Sequence, residues 1–166
     1  MITVRFAREE DAQAIADICR EAWRVTYEKL YSKEYIEKVI SDFYNLNRIK
    51  QECKSLSKDW HGYIVAEENQ KVVGCIGGAV SDDAGFIYVL YVKPNLKGRG
   101  IGSALLTFLT TYQKEHFNIL YQEVNVTTGN DMGIPFYKKH GFQFIEEIPN
   151  WIDESEGSVN RYQRTI

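Results

Sequence analysis

Apolar and polar residues alternate from Ile2 to Phe6, with Ile2, Val4 and Phe6 on one side and Thr3 and Arg5 on the other. That period of two predicts a first strand, half buried. The period then lengthens. Ala12, Ile15, Ala16, Cys19, Ala22 and Trp23 recur at helical spacing, behind the charged stretch Arg8 to Asp11, whose acids suit the positive end of a helix. A second helix is expected from Ser32, with Tyr35, Ile36, Val39, Ile40 and Phe43 as its apolar stripe. Asn45 and Asn47 should interrupt it, and a further amphipathic piece is expected from Arg48 to about Leu56. Tyr63 to Ala66, Val72 to Val80 and Phe86 to Val92 read as three strands joined by short turns at Glu68–Lys71 and Ser81–Gly85, an antiparallel meander. Gly74, Gly77 and Gly78 inside the middle strand point to a bulge or a close backbone approach.

Ile101 to about His116 reads as a helix and Ile119 to Val126 as a strand. A helix of that length between two strands predicts a crossover, so the strands on either side should run parallel. Asn130 suits a helix start and Gly141 a helix end, with Pro135 tolerable only in the first turn. Phe142 to Glu147 and Val159 to Ile166 read as the last strands, with a polar loop from Pro149 to Gly157 between them. The pattern predicts an α/β (α+β) fold: a mixed sheet of about seven strands with about four helices. No repeat, linker or low-complexity stretch interrupts it, and 166 residues suggest a single domain over 1–166.

Composition narrows the function classes. A formal net charge of −3 is not that of a general nucleic-acid binder. Cys19, Cys53 and Cys75 are odd in number and far apart, and no metal-ligand spacing joins them to His61, His116 or His140. Small buried hydrophobes are expected for the cysteines, surface or packing roles for the histidines, and no metal. The N-terminus lacks a signal-like apolar run, and no stretch reaches the ~18 apolar residues of a membrane span. A soluble, cytoplasmic protein is expected, with no nucleic-acid or membrane partner.

The chemistry concentrates after the third strand of the meander. Pro94 ends that strand, and Gly98, Gly100 and Gly102 follow at every second position before the helix. Strand, glycine loop and helix start together expose backbone N–H groups to an anion. A Walker loop does not fit, since no GxxxxGK is present. A dinucleotide fingerprint fails on its third glycine, which falls at Ser103 or Leu105, although Glu123 lies about where a ribose-binding acid would.

Leu90-Tyr91-Val92-Lys93-Pro94 followed by Lys97-Gly98-Arg99-Gly100-Ile101-Gly102 resembles the acetyl-CoA-binding signature of the GNAT superfamily of N-acetyltransferases. Asn130 to Phe142, with Phe136-Tyr137 inside it, resembles that family's second signature. Lys97 stands where relatives carry Arg or Gln, and Gly133 where they carry a small Ala. The resemblance covers nearly the whole chain. It implies a parallel strand pair that splays apart, and acetyl-CoA as co-substrate. Backbone N–H groups from Arg99 through Gly100, Ile101, Gly102 and Ser103 to Ala104 would cradle the pyrophosphate, helped by Lys97 and Gly98. Tyr91 and Val92 would pair with the pantetheine arm, the Val92 N–H would stabilise the oxyanion, and Asn130 would contact the pantetheine. Tyr137 would be the general acid on the CoA thiolate. Where some relatives keep a glutamate base, this chain has Phe86 and Asn125. Glu123, Tyr88 or Glu28 acting through water are the remaining candidates. The acceptor is expected to be a primary amine, on a small molecule or a peptide N-terminus. Trp23, Tyr27, Tyr31 and Trp151 are candidates to line its site. A longer acyl donor, a non-catalytic acetyl-CoA sensor and a homodimer through the C-terminal strands stay open.

Overall fold

The computed structural model describes residues 1–54 and 56–166. Seven strands form one sheet: β1 (Ile2–Phe6), β2 (Ile64–Glu68), β3 (Lys71–Ser81), β4 (Ala84–Val92), β5 (Tyr121–Thr127), β6 (Gln143–Pro149) and β7 (Ser158–Thr165). Their order is β1-β2-β3-β4-β5-β7-β6, and β4 with β5 is the single parallel pair among the described residues. Five α-helices accompany them: α1 (Ala12–Tyr27), α2 (Lys33–Phe43), α3 (Leu46–Glu52), α4 (Ile101–Phe117) and α5 (Gly133–Lys139).

The helices begin where side chains can take up free N–H groups. Ser32 Oγ accepts from the Tyr35 N–H at the start of α2. Asn45 closes α2, its amide donating to the Ser41 carbonyl, and opens α3, its Oδ1 accepting from the Arg48 N–H. α3 therefore starts at Leu46 rather than Arg48 and ends at Glu52. The expected continuation to Leu56 runs over Ser55, which lies outside the described residues. Asn69 and Gln70 both take positive φ, which gives the β2–β3 hairpin the turn twist that matches its strands.

Two apolar layers enclose the sheet. On one face α1, α2 and α3 bury Ile15, Cys19, Trp23, Tyr35 and Ile49 against β2, β3 and β4. On the other face α4 buries Ile101, Leu105, Leu106 and Leu109 against the same strands, joined by Tyr137 and Phe142.

Two irregularities in this sheet shape the site. Val89 pairs with Gly77 and Ile87 with Gly78, so Tyr88 is an extra residue bulging from β4. Only glycines fit opposite it. A Cβ on Gly78 would stand 2.2 Å from the Phe86 carbonyl oxygen, and one on Gly77 would stand 2.3 Å from the Trp60 ring. The second irregularity is the end of β4–β5 pairing at Ile87 and Val124. Beyond that point the two strands separate.

Candidate active site

The separation of β4 and β5 opens a cavity on each face of the sheet. The α4 side holds a cavity of about 470 Å³, and the α1–α3 side one of about 690 Å³. Tyr27, Tyr88, Tyr91 and Asn125 line both. The two spaces therefore meet across the split.

The first cavity is built from β4, the glycine loop, the start of α4 and α5. Gly98 and Gly100 have φ of +81° and +83°, and a Cβ on either would meet nothing within 4 Å. The loop thus takes left-handed turns that favour glycine and leaves its surface open. Gly100 caps α4 without a side chain on the first N–H groups. A helix of 17 residues brings its positive end to this point. The Ala104 N–H is already donated to the Gly100 carbonyl at 3.0 Å, so the free donors end at Ser103 and Ala104 drops out of the expected cradle. Arg99 turns its guanidinium outward to Glu68, at 2.9 Å, leaving only its backbone for the loop. Lys97 lines the cavity, and burial pushes its pKa down from the ordinary lysine value. Its Nζ points at Met132 Sδ, 3.7 Å away. The residues present thus suit a large anion: an open glycine cradle, free N–H groups and one lysine.

Tyr91 and Val92 lie on β4 beyond its pairing with β5, so their strand keeps main-chain groups on that side for a ligand. Asn130 lines the cavity while its Oδ1 accepts from the N–H groups of Met132 and Gly133, at 3.2 and 2.9 Å, and so starts α5. Gly133 leaves room for it, because a Cβ there would stand 2.8 Å from the Asn130 amide nitrogen. Tyr137 is 7% exposed, on the wall of the same cavity. Burial, and secondarily Tyr27, push its hydroxyl above the usual tyrosine pKa. Tyr137 is therefore protonated at neutral pH.

The second cavity is aromatic. Trp23, Tyr27, Tyr31 and Tyr35 follow one another every fourth residue, with successive ring centroids 4.4, 5.2 and 4.8 Å apart. Tyr31 donates to or accepts from Thr127 Oγ1 at 2.8 Å, and burial first of all pushes its pKa up to about 12. Trp151, 74% exposed, stands at the rim with its ring edge-on to Phe43. All four expected aromatic residues thus line one space. Trp60, Tyr63, Arg48, Glu52 and Asp59 line it as well and are not foreseen from the sequence. In the sequence Arg48 and Glu52 read only as part of an amphipathic piece and Tyr63 as the start of a strand. The Val80 N–H donating to the Lys58 carbonyl at 2.8 Å and the His61 N–H donating to the Gly78 carbonyl at 3.0 Å bring the residues between them against β3.

The candidate bases fare differently. Glu28 is exposed and lines neither cavity. Glu123 Oε1 is engaged by Arg161 and Gln163, at 2.9 and 2.8 Å. Tyr88 stands at the split, 60% exposed, with burial and then Asp59 raising its pKa. Phe86 and Asn125 occupy the floor, where neither takes up a proton. Among the described residues no cluster of histidine, cysteine or acid side chains could hold a metal ion. No helix among them is long and apolar enough to cross a membrane.

The comparisons agree with this geometry. The acetyltransferase (GNAT) family matches residues 13–142. A spermidine N(1)-acetyltransferase from Thermoplasma acidophilum is 28% identical over 158 residues, 95% of this chain and 92% of that protein. The crystal structure of the PaiA N-acetyltransferase from Thermoplasma acidophilum, in complex with coenzyme A, superposes with a TM-score of 0.88 at 26% identity, covering 100% of this chain and 99% of that one. The Ard1 structure from Thermoplasma volcanium shares the fold, with a TM-score of 0.72 at 23% identity over 99% and 97% of the two chains. With its split parallel pair, open glycine loop and two facing cavities, the chain belongs to the GNAT family of acetyltransferases.

Proposed function

We propose that this protein moves the acetyl group of acetyl-CoA to a primary amine of a polycationic, spermidine-like acceptor. One observation carries the proposal: the cavities on the two faces of the sheet meet where β4 and β5 separate. A thioester lying along β4 in the first cavity would present its carbonyl carbon at the split. An amine in the second would reach that carbon from the opposite face. The acceptor class is taken from the chemistry of the second cavity, whose aromatic rings and acids Glu52, Asp59 and Glu123 suit an extended cation. The spermidine N(1)-acetyltransferase among the relatives points the same way.

In this proposal Gly98 to Ser103 and Lys97 hold the pyrophosphate. Tyr91 and Val92 hold the pantetheine arm through their main chain, with Asn130 beside it, and the Val92 N–H stabilises the oxyanion. The amine lone pair attacks the carbonyl carbon, and the C–S bond breaks as the oxyanion collapses. Tyr137 gives its proton to the departing thiolate, and the proton that the newly bonded nitrogen sheds to become the amide returns to the Tyr137 oxygen, directly or through water. The nucleophile must be the neutral amine. Taking an amine of pKa ~10.4 to its neutral form at pH 7 costs about 4.6 kcal/mol. No unengaged carboxylate stands at the split among the described residues to recover that cost.

The test is CoA-thiol release with a panel of amines, followed by Tyr137→Phe on the best of them. Turnover with spermidine and related amines is expected, and Tyr137→Phe should lower kcat by roughly 10²–10⁴-fold while acetyl-CoA affinity stays put. A panel without thiol release would refute the acetyl transfer. A Tyr137→Phe enzyme of equal kcat would remove the acid.

A further inference from the structure

The acceptor cavity contains three carboxylates, and they are not equivalent. Glu123 is already compensated by Arg161 and Gln163. Asp59 is exposed on its turn, where water screens it. Glu52 differs from both. It sits at the last position of α3, in the negative end of a helix, where an anion is disfavoured. Its Oε1 is buried and has no hydrogen-bond partner among the described residues. Arg48 Nε stands 3.5 Å from that oxygen, near enough for an ion pair and too far for a good hydrogen bond. Burial raises the Glu52 pKa, and Arg48 offsets this only in part.

The main chain that carries the carboxylate is held in place. The Trp60 indole N–H donates to the Glu52 carbonyl at 2.8 Å, and the Trp60 ring fills the space over Gly77. The end of α3 is thereby pinned to β3. The fold thus holds an under-compensated negative charge on the wall of a cavity lined chiefly by aromatic rings, where Arg48 stands 3.5 Å from Glu52 and Arg161 is engaged by Glu123. A cation beside it would relieve the charge.

We propose that Glu52 is the residue that selects acceptors carrying a second positive charge, by taking the ammonium at the end of the molecule away from the reacting nitrogen. The proposal rests on the acceptor reading above. Glu52 touches the substrate in it and takes no part in the acyl transfer.

The test is calorimetric titration of the CoA-saturated protein with 1,4-diaminobutane and with butylamine, for the unaltered chain, Glu52→Gln, Glu52→Asp and Glu52→Lys. The measured quantity is the ratio of the two affinities, which does not depend on the fraction of protein that is folded. The unaltered chain should prefer the diamine by tenfold or more. Glu52→Gln should bring the ratio close to one, and Glu52→Asp should restore part of it. Glu52→Lys should favour 4-aminobutanoate over the diamine. A Glu52→Gln ratio equal to that of the unaltered chain overturns the proposal, as does an unaltered chain without preference for the diamine. The titration needs no turnover. Glu52-dependent diamine binding without acetyl transfer would therefore refute the proposed reaction and leave this inference standing. Transfer with a Glu52-independent ratio would do the reverse.

Discussion

Gln113→Leu should destabilise the protein far more than its conservative volume suggests. Gln113 lies on α4 with no exposure, and its amide is fully used. Nε2 donates to the Ala79 carbonyl at 3.0 Å and to His61 Nε2 at 3.3 Å, while Oε1 accepts from Gln122 Nε2 at 3.1 Å. The tautomer of His61 is fixed by its other nitrogen. Nδ1 lies 2.7 Å from the Ser57 carbonyl, which can only accept, so Nε2 is left as an acceptor. Leucine would strand a carbonyl, an imidazole nitrogen and an amide N–H, each at about 1–3 kcal/mol. Allowing for relaxation, the loss should be roughly 3–6 kcal/mol. For a chain of this size that is a fall in Tm of roughly 6–24 °C. Chemical denaturation and calorimetry read it directly. Gln122→Leu should be less than additive with it, by roughly 0.5–3 kcal/mol, because the pair shares one bond. Gly85→Ala should disturb the same network, since its Cβ would stand 2.2 Å from Gln113 Oε1. Acetyl-CoA affinity should stay put in Gln113→Leu, which lies about three turns, roughly 18 Å, along α4 from the glycine loop. A loss below about 1 kcal/mol, or strict additivity with Gln122→Leu, would refute the reasoning.

Three further outcomes are open to measurement. Lys97→Ala should weaken acetyl-CoA binding several-fold and leave acetyl-pantetheine, which lacks the pyrophosphate, unaffected; equal weakening of both would place Lys97 elsewhere. With no free carboxylate at the split, kcat/KM for the amine should rise tenfold per pH unit from pH 7 until the amine's own pKa near ~10.4, and a plateau near pH 6–7 would reveal a base. Asp11 is pushed up by burial, but the Arg5 hydrogen bonds and the Arg8 N–H outweigh this and lower its pKa. Its folded pKa lies below the unfolded one, so its stabilisation is complete above about pH 3.9 and is lost as pH falls through the folded value. Asp11→Asn should make the acid unfolding limb shallower, and identical limbs would rule Asp11 out.

Much of this was legible in the sequence because it is local. The meander, the crossover around α4 and the helix ends at Ser32, Asn45 and Gly141 follow from spacing and from residues that cap or take positive φ. Gly77 and Gly78 announced the bulge, although which residue of β4 it would push out depended on register. The glycine-loop wall of the first cavity was legible for the same reason: Lys97 to Ser103 are contiguous. The second cavity was legible only in its aromatic run. Asp59 and Trp60 reach this cavity through the hydrogen bonds that Lys58 and His61 make to β3, and Glu52 through the placing of α3, none of which a local period encodes. In sequence Glu52 is only the far end of an i,i+4 pair with Arg48. The buried polar chain through His61, Gln113, Gln122, Thr110 and Arg164 was hidden likewise, since each residue alone reads as an ordinary polar position.

The separation of β4 from β5 has a consequence for the order of events. In the proposed reaction the two reactants would have separate doorways, one on each side of the sheet, and would meet at a shared threshold. Neither has to leave before the other can enter. None of the three cysteines lines either cavity, so no thiol is at hand to carry the acetyl group between two half-reactions. The proposed direct transfer would then need donor and acceptor present together, and double-reciprocal plots against either one should intersect rather than run parallel.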